Sequence, residues 1–297
     1  MLDEFGLGEI LAGIWNLLLL GGGVLAWAIV LGRQGFPLRQ AGPPPRWNLS
    51  LPDLFFVLGM GLMIYAMVML ILMEVPQWFT RESVDEGTNG EAAPGGEGWS
   101  FFFSAVAFQS GILLGIVLLV RFYPQVFQTV RESPTPPLSR REAAAWGALG
   151  LLLAFPLVVV SSLIWHFVLR TWGYEIAFQE VVSRLLEIEN PILFILTLLS
   201  VAILAPVWEE IIFRAGLFRL LHNRLSFWGA AVLSGAIFAA VHASLPQFAA
   251  LWVLGIVLAF VYQRTGSLLA VICLHGFFNL NTIWLIFLMR WVGTGES

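Results

Sequence analysis

The sequence predicts an all-α fold, a polytopic transmembrane helical bundle of about eight spans, and three observations carry that prediction. The 297 residues are 59% hydrophobic and only 11% charged, a balance that fits a chain immersed in lipid rather than in water. Apolar runs such as IWNLLLLGGGVLAWAIVL and ALGLLLAFPLVVVSSLIWHFVL remain apolar on every face over lengths that cross a bilayer as helix. The roughly ten-residue alternating segments of a membrane β-barrel do not fit these runs.

The first span, about 8–31, follows the acidic stretch MLDEFGLGEI, which lacks the positive leader of a signal peptide, so it is expected to be a retained helix. Spans at about 52–73 and 100–121 flank the acidic, Gly-rich segment EVPQWFTRESVDEGTNGEAAPGGEGW, read as a flexible loop. Spans at about 146–169 and 191–213 are separated by YEIAFQEVVSRLLEIEN, whose apolar residues at helical spacing among charges predict a helix lying along the membrane surface. The apolar runs 227–244 and 247–263 are short for a crossing and are expected to tilt, kink or re-enter, and the last span covers about 267–289. RQGFPLRQAGPPPRW and RESPTPPLSRRE read as Pro-rich cytoplasmic linkers. The chain thus divides into residues 1–144, with three spans, their linkers and the acidic loop, and residues 145–297, where ionisable groups gather within apolar helices.

Arginine placement predicts orientation, because basic residues flanking the spans are retained on the cytoplasmic side. Arg33, Arg39, Arg46, Arg121, Arg131, Arg140, Arg141, Arg214, Arg219, Arg224 and Arg264 fall on one side, against Arg81, Arg170, Arg184 and Arg290 on the other. Both termini are therefore expected outside the cytoplasm. The sequence contains no lysine, a usage that points to a GC-rich genome and hence to a prokaryotic cell membrane. A net charge of −4 and the absence of any basic stripe exclude nucleic acid as a partner. Cys273 is the only cysteine, so neither an intrachain disulfide nor a Cys-based zinc site can form.

The chemistry-bearing residues lie in three stretches. In APVWEEIIFR, carboxylates at membrane depth cost roughly 2.5–3.5 kcal/mol each on insertion scales, so Glu209 and Glu210 call for partners or a role. Glu210 and Arg214 stand four apart in the order that favours an ion pair, while Glu209 points about 100° away. Pro206 withholds the backbone donor for the Ala202 carbonyl, which predicts a kink or widening just before the two acids. In GAIFAAVH, Phe238 and His242 share a helical face, and a lone histidine there is by itself more often structural. Glu209 and His242, however, are almost equidistant in sequence from the turn near Leu225, so an antiparallel hairpin would bring them to one depth. In LHGFFN, His275 and Asn279 share a face, which fits either interhelical hydrogen bonding or a polar cavity. Together these side chains could offer a carboxylate, two imidazoles and an amide, a set able to activate water and stabilise an oxyanion. Two histidines and a glutamate are also familiar zinc ligands, but the pairing of one histidine with an amide favours a site without metal or other cofactor.

EEIIFR, FAAVH and HGFFN resemble, in order and spacing, the E-E-x-x-x-R, F-x-x-x-H and H-x-x-x-N motifs of the type II CAAX prenyl endopeptidases, also called the CPBP or Abi family of intramembrane glutamic proteases. The resemblance spans about residues 190–285, making 145–297 the expected catalytic core, and leaves the first three spans without a matching motif. It implies that Glu209 and His242 activate water, that His275 and Asn279 form the oxyanion hole, and that Glu210, Arg214 and Phe238 support them. It implies a peptide or protein substrate at the membrane, in contact with lipid; some family members act on prenylated C-termini, and a lipidated substrate is one option here. The competing reading is a non-proteolytic scaffold, immunity factor or transporter that uses the same polar cluster for packing or binding.

Overall fold

The structure, a computed structural model, describes residues 7–44, 50–74, 96–124, 136–174, 176, 188 and 190–293. Most of the acidic loop, most of YEIAFQEVVSRLLEIEN, parts of both Pro-rich linkers, and Arg46, Arg81, Arg131 and Arg184 lie outside the described residues. Among the described residues there are eight helices and no strand: α1 Leu7–Gly32, α2 Leu51–Glu74, α3 Gly96–Phe122, α4 Arg140–Thr171, α5 Pro191–His222, α6 Phe227–Val241, α7 Phe248–Thr265 and α8 Leu268–Gly293. Seven are long and apolar enough to cross a membrane. Helix α6 has 15 residues, roughly 22 Å of rise against a hydrocarbon core of about 30 Å. The chain is an integral, multi-pass helical membrane protein.

It divides into two compact units. One comprises residues 47–128 and 180–208, with α2, α3 and the first half of α5. There α2 and α3 approach closely at glycine, since a Cβ on Gly111 would lie 2.9 Å from Gly61 Cα, and buried Ser200 Oγ donates to Gln109 Oε1 at 3.1 Å. The other comprises residues 1–46, 129–179 and 209–297, and holds all three motifs. Its core gathers Trp146, Phe218, Leu254, Leu258, Tyr262, Val271 and Leu274 from α4, α5, α7 and α8. Helix α1 joins this unit by packing on α4 and α8, with Trp15 Nε1–H donating to Asn281 Oδ1 at 2.7 Å.

Helix α4 begins six residues before the apolar run that predicts it. Ser139 Oγ accepts from the Glu142 backbone N–H and the Glu142 carboxylate accepts from the Ser139 N–H, a reciprocal cap. Arg39, in the segment after α1, adds a bidentate pair to that carboxylate at 2.8 and 3.0 Å.

Helices α6 and α7 meet at Gly235 and Gly255, where a Cβ on Gly255 would lie 2.7 Å from Gly235 Cα. Backbone cannot yield as a side-chain tip can. Gly255→Val is therefore expected to lower stability by about 1–3 kcal/mol or more through overpacking, read as a fall in melting temperature in detergent. Gly13→Ala, which meets nothing within 4 Å, is the matched control and is expected to leave the melting temperature in place.

Candidate active site

Helix α5 is irregular where the first motif sits. Wide, π-type turns cover Ser200–Leu204 and Ile211–Phe218, leaving only Ala205–Glu210 as regular α-helix between them. The Ala205 N–H bonds back five residues to Ser200 O, so the helix is already widened when it reaches Pro206, which has no N–H to give. The widening expected from the proline is present, and a second stretch follows that the sequence did not announce. Glu209 and Glu210 stand at the end of the short regular segment, on the lip of the second wide stretch.

Glu210 and Arg214 are fully buried and paired, with Arg214 Nη1 3.1 Å from Glu210 Oε1. The ion pair expected from i, i+4 spacing thus forms, through a widened turn. The guanidinium also lies 4.5 Å from the centre of the Phe238 ring and reaches the Gly255 carbonyl at 3.5 Å, the long limit for a hydrogen bond. Glu210 has a second partner: His275 Nδ1 lies 2.7 Å from Glu210 Oε1. A carboxylate already facing arginine can only accept, so Nδ1 carries the proton and Nε2 is directed elsewhere.

That other direction is Glu209. His275 Nε2 is 3.7 Å from Glu209 Oε2, and His242 Nε2 is 3.9 Å from the same oxygen. Both separations exceed a direct hydrogen bond. Glu209 Oε2 is buried and makes no hydrogen bond among the described residues. Such an atom is costly to bury unless the site supplies it with a polar partner.

His242 is the last residue before α6 breaks. Its backbone N–H turns to Ala239 O at 3.3 Å, tightening the final turn, and its own Nδ1 lies 2.7 Å from Phe238 O. A carbonyl only accepts, so Nδ1 bears the proton and, in the neutral ring, Nε2 presents a lone pair towards Glu209. Phe238 is the packing hub of the site, edge-on to His242 at 4.7 Å, to His275 at 5.7 Å and to Phe213 at 5.2 Å. Asn279 stands one turn beyond His275 on α8 and is half-buried. The His242 side chain is 20% exposed against 4% for His275 and 11% for Glu209, so the cluster is most open at His242.

The structure therefore brings Glu209, Glu210, Arg214, Phe238, His242 and His275 into one cluster, and places Asn279 on the helix that supplies His275. The Glu210–His275 hydrogen bond was not readable from a single sequence, because nothing local signals a contact across 65 residues. Among the described residues, no group of three or more His, Cys, Asp or Glu side chains is arranged to hold a metal ion.

Residues 191–281 match the family described as type II CAAX prenyl endopeptidase Rce1-like. The chain is also 26% identical over 167 residues to a Bacillus subtilis (strain 168) protein named "Putative membrane peptidase YdiL", covering 56% of this chain and 64% of that relative. It is 33% identical over 98 residues to an Escherichia coli protein described as "Uncharacterized 24.3 kDa protein", covering 31% and 44% respectively. In each case the match spans less than two thirds of the relative's length, and no solved structure matches. The segment that matches the Rce1-like type II CAAX prenyl endopeptidases, residues 191–281, holds all three motifs.

Proposed function

We propose that this protein is an intramembrane endopeptidase that hydrolyses peptide bonds of membrane-associated substrates with a glutamate-activated water and no metal or other cofactor. The observation that carries the reading is Glu209 Oε2, a buried carboxylate oxygen without a hydrogen bond among the described residues and flanked by two imidazole Nε2 atoms at 3.7 and 3.9 Å. Separations of that size accommodate one water hydrogen-bonded to Glu209 and to His242 at about 2.8 Å each. In this reading Glu209 takes a proton as the water oxygen bonds to the scissile carbonyl carbon and the carbonyl electron pair moves onto oxygen. His275 and Asn279 donate to that oxyanion. Collapse restores the carbonyl, breaks the C–N bond and returns the proton to the departing amine.

Charge supports the role given to His275. Its Nδ1 proton is committed to Glu210, so Nε2 donates only when the ring carries both protons. In that form Glu209, Glu210, Arg214 and His275 sum to zero, the condition under which a buried ionic cluster is least costly.

The test is to compare new peptide termini in membranes from cells making the wild type or Glu209→Gln at matched levels. Termini that appear only with wild type, and persist when membranes are treated with a zinc chelator, support the reading. Loss of cleavage on chelation would replace it with a metallopeptidase, and no new termini at adequate coverage would favour a binding or scaffold role. The identity of the cleaved chains also decides whether substrates are lipidated. The arginine asymmetry further supports termini outside the cytoplasm if α6 crosses the bilayer, which reporter fusions at both ends would read directly.

A further inference from the structure

The turn after His242 has an uncommon backbone conformation, and two side chains from a helix outside the family match bond to it. Ala243 has φ +50°, a left-handed conformation that alanine seldom adopts and that glycine usually supplies where a helix ends. Two side chains of α4 bond to the carbonyls just beyond it. Trp165 Nε1–H donates to Leu245 O at 2.7 Å, and His166 Nε2 lies 3.0 Å from Pro246 O, a carbonyl that can only accept and therefore fixes the proton on Nε2. The Trp165 ring also packs on Phe248, the first residue of α7, at 6.3 Å.

Backbone strain that persists beside a reactive side chain is grounds for seeking a function. Here the consequence is local. The left-handed residue ends α6 at His242, the His242 N–H swings to Ala239 O, and the Phe238 carbonyl accepts from the His242 imidazole. That last bond selects which ring nitrogen faces Glu209. If the turn relaxed into helix, the His242 N–H would return to Phe238 O and compete with the imidazole for it.

We infer that Trp165 and His166 are positioning residues: by holding the Leu245 and Pro246 carbonyls they keep Ala243 left-handed, and thereby fix the tautomer and aim of His242. The inference rests on the proposed role of His242, but its first readout does not depend on proteolysis. With four histidines in the chain, ¹⁵N-histidine labelling allows each ring to be followed by NMR in detergent, with His242 assigned by its loss in His242→Gln.

In the wild type His242 is expected as the Nδ1–H tautomer alone. Trp165→Phe combined with His166→Leu is expected to give a mixture of tautomers at His242, with kcat for peptide cleavage down at least tenfold and KM within about twofold. His166→Gln, which retains an N–H donor, is expected to keep the wild-type tautomer. Adding Ala243→Gly to the double variant is expected to restore it, because glycine takes the left-handed conformation without help. Trp165→Phe alone, which keeps an aromatic side chain and removes one hydrogen bond, serves if the double variant does not fold, and is expected to give a smaller admixture. Retention of the Nδ1–H tautomer in a folded variant lacking these donors would overturn the inference. Failure of Ala243→Gly to restore the tautomer would overturn the route through Ala243. A tautomer shift as expected, together with no cleavage by the wild type, would leave the positioning intact and refute proteolysis.

Discussion

Glu209→Gln is expected to lower peptide cleavage by about 10²–10⁴-fold, the usual contribution of a positioned general base, with little change in melting temperature. The two effects separate because of how Glu209 is held. Its Oε2 makes no hydrogen bond among the described residues, so an isosteric amide breaks no such bond there and removes a buried charge. In the proposed mechanism, what it removes is the ability to take a proton from water. Glu210→Gln is a demanding comparison, since it alters a neighbouring carboxylate whose Oε1 meets both Arg214 and His275, and should reduce stability as well as rate. A Glu209→Gln protein that retains cleavage within a few-fold of wild type would refute the assignment of Glu209 as base. Rates on a defined peptide in detergent or nanodiscs, with melting temperatures of the same preparations, make the measurement.

The parts of this molecule that follow from local pattern were legible in the sequence. Eight apolar runs correspond to eight helices, with boundaries that agree best where hydropathy changes abruptly, as at Pro191 and Phe227. The start of α4 does not follow from hydropathy because Arg140, Arg141 and Glu142 interrupt the apolar signal, although Ser139 and Glu142 stand at the spacing of a reciprocal cap. Hydropathy places the end of α5 near 213, but the helix continues to His222, because Arg214 and Arg219 are buried rather than flanking the span, Arg214 on Glu210 and Arg219 against the Tyr262 ring at 5.2 Å.

The site was legible to the extent that spacing within one helix determines it. The Glu210–Arg214 pair follows from i, i+4 geometry, and the approach of Glu209 to His242 follows from hairpin arithmetic about Leu225. Contacts between helices far apart in sequence could not be anticipated in that way. These include the Glu210–His275 hydrogen bond, the support of the His242 turn by α4, and the attachment of α1 to α8 through Trp15 and Asn281. The last places α1, which carries no recognised motif, in the same compact unit as the motif helices.

Arg214→Leu is expected to destabilise the protein by about 3–5 kcal/mol, the cost of leaving one partner of a buried ion pair uncompensated. Glu210 has no exposed surface and would retain only His275 as a charge-assisting partner. The double variant Glu210→Leu, Arg214→Leu removes both charges and fills the space with apolar volume, a change that is often neutral or stabilising for buried pairs. Its stability is therefore expected to recover most of what Arg214→Leu loses. Its activity is not expected to recover, because Glu210 also fixes the proton on His275 Nδ1 and so, in the proposed mechanism, determines what Nε2 can offer the oxyanion. Denaturation in detergent and cleavage rate on the same samples separate the two roles. Recovery of both would mean that the pair serves only to neutralise charge, whereas recovery of stability alone would mean that the buried pair is retained for the orientation it imposes on His275.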